Sequence, residues 1–544
     1  MSKKLLFLFA FFTFVFVFRN IRYYEFGASE KDIDSSLIGL TIDGSSTNTF
    51  PIKDSGYAID SINCDKGASG VWDYESWTLR IRNVTQSRTK CQVNFVSRYH
   101  ESILNGTDPV LKDGLIPVTI ENDGTVKKAS LGWEWYDYET KRWANAVILN
   151  NETEIYYDGD VIPESAIESY FVWIPRYKYK IFDMGNYTGF TSITNKIQII
   201  DVIFGTDTTT DTSSSCVSPG VSGVSGACSV GKYMTHPAFI SFGTNGMWVG
   251  KFETGYKGAT TITEAEKNEN NPSKVQIKPN VYSWRNIQVA NAHLSSYNYK
   301  REYDSHMMKN TEWGAVAYLQ HSKYGSHESV RINNNEGFLT GYAAVKEPTC
   351  RYTGVSEDCN KYEKTNPQVD GMYTVNYFNS ASQLASTTGN YSGIYDMSGG
   401  SLEYMMAAMK SADNQTLCSG KDATYNSGFN GAYCEVGDFL TTGYSFPDSK
   451  YYDVYSYDTT TQTFHRRILG DATGEMGPFF RDMSGSVWSF GSWYNDEGDF
   501  LYFCQPWFIR GGAFSYGITT GMFGFIVHFG HNYFPVGYRI VLSV

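Results

Sequence analysis

Between Gly511 and Tyr538 the chain carries no Asp, Glu, Lys or Arg. A soluble sequence with about a quarter of its residues charged would place roughly seven there. The stretch holds five Phe, three Tyr and two His, and it lies between Arg510 and Arg539. Chain of this kind must either be buried or present an uncharged surface. Phe523, Phe525, Val527 and Phe529 alternate, which predicts one inward face of a strand, with Gly524, Ile526, His528 and Gly530 on the other. Core burial accounts for about half of the aromatic residues on that reading. We expect Tyr516, Ile518, His528, His531, Asn532 and Tyr533 to form an exposed ligand-binding patch, because a contiguous exposed aromatic area usually marks a contact site. His528 and His531 lie three apart, on opposite faces of an extended segment, which argues against a shared metal.

The rest of the composition narrows the function classes. A chain of 544 residues is long enough for several domains. Aromatic residues make up 16% and Gly numbers 51, which favours a loop-rich, strand-containing fold over a helical bundle. A net charge of -12 argues against a surface that tracks nucleic-acid phosphates. Lys3 and Lys4 precede an apolar run from Leu5 to Phe18, followed by Arg19 and Arg22. This pattern predicts a signal peptide or signal anchor within residues 1–30, with 5–18 as the candidate membrane anchor. The nine cysteines fit export, since disulfides persist in oxidising compartments. Pairing by proximity predicts bridges 64–91, 216–228, 350–359 and 418–434, leaving Cys504 over. The expected location is extracytoplasmic, at the cell surface or secreted.

Along the chain, residues 37–98 alternate apolar and polar in "GYAIDSINC", "WTLRIRNV" and "TKCQVNFV", predicting a small disulfide-stapled β module. Residues 101–170 read as a connecting β-rich segment, with a hairpin at "LIPVTIENDGTVKKA" turning on Asp123-Gly124. Residues 205–230 are Ser/Thr/Gly-rich and read as a loop. The strongest helix signal is "HMMKNTEWGAVAYLQHSKYG", with Met308, Trp313, Val316 and Leu319 on one face and Gly325 near its end. The remainder predicts a loop-dominated α+β domain.

No phosphate-binding loop, dinucleotide fingerprint, HExxH or GxSxG is present. An ordered series is present: "FVWIPRYKY" (171–179), "MWVGKFETG", "PNVYSWRNI", "NTEWGAVAYL", "GIYDMSGGSLEYM" (393–405), "FIRGGAF" (508–514) and "GYRIVL" (537–542). In this order it resembles the formylglycine-generating enzyme (sulfatase-modifying factor) family over about residues 171–544, as a divergent branch. The family usually has Asn and Trp where this chain has Gly400 and Leu402. The resemblance implies a C-type-lectin-like fold in which Trp248, Trp284 and Trp313 fill a core poor in regular structure. Gly511 and Gly512 would then allow positive φ or close backbone approach, and Arg510 and Arg539 would tie down the final hairpin.

The resemblance also bears on chemistry. In active family members two cysteines follow the RGG and carry out a copper-dependent oxidation. Those positions fall on Tyr516 and Gly521, which supply no thiolate, so neither catalysis of that kind nor copper is expected. The family's calcium loop maps onto Asp396 and Glu403 through side chains and Gly399 and Ser401 through carbonyls, so the resemblance implies calcium there. Between Gly511 and Pro535 the residue types include those reached by randomising the adenines of AAC or AAT codons. That composition is similar to the variable region that ends the target proteins of diversity-generating retroelements. The function expected is a surface-displayed binding protein whose terminal stretch contacts a protein or glycan. The alternative is an exported enzyme with altered chemistry on the same scaffold.

Overall fold

The computed structural model describes residues 103–131, 135–180, 199–210, 233–345, 373–411, 415–434, 436–456, 468–473, 494 and 496–544. It also describes Gly67 and the backbone of short strands between residues 20 and 97, at 480–481 and at 490–491. The apolar run 5–18, the side chains of Cys64 and Cys91, and the pairs 216–228 and 350–359 lie outside the described residues.

The alternating segments near the N-terminus form antiparallel strands. Asn20–Phe26 and Tyr57–Cys64 flank Thr89–Ser97, with Cys64 opposite Cys91 in register. Lys31–Asp34 and Ser69–Asp73 flank Thr78–Arg82 in a second sheet. The strands therefore draw on residues before Leu37 as well as on 37–98.

A seven-stranded sheet organises much of the remainder. Its order is Val126–Lys128, Ile116–Ile120, Asn145–Leu149, Ile167–Pro175, Gly246–Gly250, Ile540–Leu542 and His306–Met307. The Asp123-Gly124 hairpin is its first turn, with Gly124 at φ +86 and the Thr125 N–H donating to the Asp123 carboxylate at 2.9 Å. Residues 101–170 are thus built into the same sheet as the end of the chain. Ile167–Pro175 reads "IESYFVWIP", the near-continuous apolar run of a strand covered on both faces. Phe171 and Trp173 enter one hydrophobic core, while Val172 and Ile174 enter the other. The period of two along one strand therefore joins two cores on opposite sides of the sheet.

A second sheet carries the terminal stretch. Leu402–Lys410 pairs with Asp453–Ser456 on one side and Trp507–Gly511 on the other, and Gly521–His528 follows. Val536–Tyr538 lies parallel to the start of Leu402–Lys410. Glu403 is the register partner of both Arg510 and Gly537, so three separate sequence motifs meet at one point.

The expected helix forms over Asn310–Gln320, and Glu312 accepts the Lys309 N–H at 2.9 Å to cap it. All of its residues are buried, rather than one face. Gly325 does not end the helix but packs over its last turn, where a Cβ would meet the Gln320 carbonyl at 2.2 Å. A second helix, Val289–Tyr299, has no counterpart in the sequence reading. Its buried positions include Asn291, His293, Ser295 and Ser296, and these polar residues hide the apolar period. The described fold is sheet-rich α+β, with long loops between short elements.

Candidate functional site

Gly521–His528 divides the charge-free stretch. Phe523 and Phe525 are buried, as is Val527, and their side chains enter one core. Ile526, on the other face, packs against the second core, so this face is partly covered too. The alternation stops at His528, where the strand ends. Phe529 therefore does not continue the inward face. It is half-buried and lies against Tyr425, with ring centroids 5.2 Å apart.

Beyond the strand the chain makes an uncharged turn. His528 stacks on His531 at 4.7 Å and on Tyr533 at 5.1 Å. Tyr425 meets His531 edge-on at 5.0 Å. Tyr425, Tyr516, Tyr533 and Phe534 expose 41%, 38%, 43% and 48% of their surface, and Asn532 is exposed beside them. His528 and His531 are half-buried and form the floor of this group rather than its outer rim. Ile518 lies in a single helical turn, Gly517–Thr519, and its side chain is outside the described residues. Tyr516 precedes that turn and is exposed.

The turn is held from below by distant segments. The Tyr404 hydroxyl donates to the His531 carbonyl at 2.6 Å and contacts Nδ1 of His528. Arg285 donates to the Phe534 carbonyl at 3.1 Å and lies under its ring. Asn532 donates to Asn286 at 3.1 Å. Tyr425 comes from the lobe closed by the Cys418–Cys434 disulfide, the predicted pair that falls among the described residues. Burial drives the His528 pKa down to about 3 and lowers that of His531, so both rings are neutral near pH 7. Stacked rings direct their nitrogen lone pairs into nearly parallel planes, an arrangement that does not converge on one ion.

Tyr404 and Tyr425 escape sequence reasoning. Tyr404 sits within the "SLEYM" motif, so its proximity to the RGG and GYR segments is a usable signal. Tyr425 lies about a hundred residues from the turn, and nothing in the sequence marks the contact.

Gly511 and Gly512 adopt φ +84 and +73, as the resemblance implies. Trp248, Trp284 and Trp313 are fully buried. Arg510 donates to the Ala472 carbonyl at 3.2 Å, between the rings of Trp313 and Phe525. At Gly521 a Cβ would lie 2.0 Å from the Asp496 carboxylate, which accepts the Phe523 N–H at 2.9 Å. Burial pushes the Asp496 pKa up to about 8.

The loop that the resemblance assigns to calcium is turned toward protein partners. Both Glu403 oxygens pair with Arg539, at 3.0 and 2.6 Å. Asp396 accepts from Asn333 Nδ2 and from the Gly341 N–H, each at 2.9 Å. The Ser401 N–H donates to Glu253 at 2.8 Å, and the Gly399 N–H to the Gly511 carbonyl at 3.1 Å. Burial pushes Asp396 and Glu403 up to about 6 against the pull of Arg539. In this arrangement both Glu403 oxygens are taken by the Arg539 guanidinium and both Asp396 oxygens accept protein N–H groups, so the side chains that the resemblance assigns to calcium do not fit a calcium ion.

The chain matches no protein-family model, and no curated protein matches it.

Proposed function

We propose that this is an exported binding protein that presents its terminal aromatic turn to a protein or glycan ligand. On this reading the scaffold is C-type-lectin-like, of the formylglycine-generating type, and belongs to a branch that has given up oxidation. The observation that carries the reading is the uncharged turn 528–534. It leaves Tyr533 and Phe534 largely exposed while Tyr404, Tyr425, Arg285 and Asn286 brace it. Tyr rings give large contact area with a polar tip and few rotors to freeze on binding. Exposed rings on a braced turn suit a contact surface, since little order remains to be imposed when a ligand docks.

The same reading gives Tyr516 and Gly521 no catalytic task. The Asp496 carboxylate fills the space that a side chain at 521 would need. The composition of 511–535 supports a further step, that the stretch is the variable region of a diversity-generating retroelement. The test is binding of the intact protein to a printed glycan array and a printed array of cell-surface proteins, beside the double variant His531→Ala/Tyr533→Ala. Specific binding that disappears in the double variant supports the proposal. Equal binding by both proteins, or specific binding by neither, removes the turn as the contact surface.

A further inference from the structure

We propose that Arg539 is the built-in cation of the loop 396–403, filling the role that the family resemblance gives to calcium, so that the segment Val536 to Leu542 is anchored without metal. Three carboxylates are gathered there, on Glu253, Asp396 and Glu403, and all are buried with Arg539. Buried carboxylates need a counter-charge and hydrogen-bond donors to be tolerated. Arg539 meets Glu403 through two parallel bonds and turns its remaining Nη1 donor to the Gly250 carbonyl at 2.9 Å. A guanidinium is well suited to that task, because its planar fork matches both carboxylate oxygens at once.

The loop backbone contributes a donor to the same cluster. Here the Ser401 N–H points inward and donates to Glu253, while the Ser283 hydroxyl donates to the other Glu253 oxygen. Gly400 makes this approach possible. Its φ is +71, and a Cβ would lie 2.3 Å from the Glu253 carboxylate. The departure from the family's Asn at this position thus has a physical counterpart: the space is taken by an acid from the neighbouring segment. Around Glu253 the loop donates to a carboxyl group whose pKa burial and the nearby Asp396 and Glu403 push well up, and the positive charge of the cluster comes from Arg539, between Val536–Tyr538 and Ile540–Leu542.

The experiment is thermal unfolding and isothermal titration of the full chain with calcium chloride and with EDTA. The wild type should melt at the same temperature in EDTA and in excess calcium, and should show no calcium heat at this loop. Arg539→Ala should melt lower, and excess calcium should restore part of the loss, because removing the guanidinium leaves three carboxylates facing a vacated position. Adding Glu403→Gln to Arg539→Ala should abolish that calcium response. Arg539→Lys, which keeps a charge, should remain calcium-indifferent. If Arg539→Ala does not fold, the wild-type titration decides by itself. A wild-type melting temperature that falls in EDTA and recovers with calcium, with the recovery absent in Asp396→Asn, overturns the proposal. A folded Arg539→Ala that ignores calcium overturns it as well.

Discussion

Gly521–Val527 and His528–Phe534 both lack charge and differ in nearly everything else. The first length is a strand whose backbone pairs with Trp507–Gly511 and whose Phe523, Phe525 and Val527 side chains fill a core. The second is a turn in which half-buried His528 and His531 stack beneath exposed Tyr533 and Phe534. Absence of charge thus spans a buried length and a partly exposed one within fourteen residues. In the strand a charge would be desolvated without a partner. In the turn nothing in the burial forbids a charge at Asn532 or Tyr533, so its absence there calls for another cause. The contact surface proposed above supplies one.

The contrast can be broken first at its buried side. Phe525→Ala should empty a core site beside Phe508 and Arg510 and cost about 3–5 kcal/mol, read as a lower denaturant midpoint at unchanged slope. A cost under about 1 kcal/mol, the range of ordinary surface changes, would mean that the strand face is not core.

The two sides should also respond oppositely to pH. Asp496, behind the strand, has a folded pKa raised to about 8 from its ordinary 3.8. Between those values the native state holds a proton that the unfolded chain has released, so raising pH through this window destabilises the fold. His528, at the turn, has a folded pKa lowered to about 3 from its ordinary 6.5. Between those values the unfolded ring takes a proton that the native ring refuses, so lowering pH through this window destabilises the fold. Asp496→Asn should remove the fall in stability that accompanies rising pH between 3.8 and about 8. His528→Ala should do the reverse, with a baseline cost of about 1–2 kcal/mol because Tyr404 no longer has the imidazole nitrogen as a partner. Slopes of stability against pH that the two variants change in the same direction would contradict the separation.

The smallest effect should come from the outer rim. Tyr533→Ala should leave stability within about 1 kcal/mol of wild type in urea unfolding. A larger loss would show that its stacking on His528 is structural support and would move Tyr533 from the surface to the frame.

Much of this division is legible in the sequence. Alternation of Phe523, Phe525 and Val527 is a direct consequence of the pleat, and it needs no knowledge of the neighbours. Phe529 breaks the pattern because alternation says nothing about where a strand ends, and the strand stops at His528. The sequence places the histidines at the rim. They sit deeper because buried Tyr404 holds them from beneath and Tyr425 packs edge-on against His531, both from segments far away in the chain. Arg539 holds the chain to Glu403 and Gly250, but the expected final hairpin does not form: Val536–Tyr538 pairs with Leu402–Lys410 and Ile540–Leu542 with Gly246–Gly250, not with each other or with Gly521–His528. Its partner Glu403 reads as a calcium ligand because the motif alone cannot show that a guanidinium reaches both oxygens. Helix Val289–Tyr299 is hidden for a similar reason, since its buried Asn291 and Ser295 are satisfied by Asn268 and Asn271 from a distant segment.

The central claim is that the turn, and not the strand beneath it, is the part of the stretch that meets a ligand. Sequencing the same locus in sister isolates tests it most directly. The account predicts substitutions concentrated at Tyr516, Ile518, His528, His531, Asn532 and Tyr533, arising at adenines of a nearby near-copy of the coding DNA, with Phe523, Phe525 and Val527 held constant. Substitutions spread evenly over both lengths, or concentrated on the buried face, would contradict it.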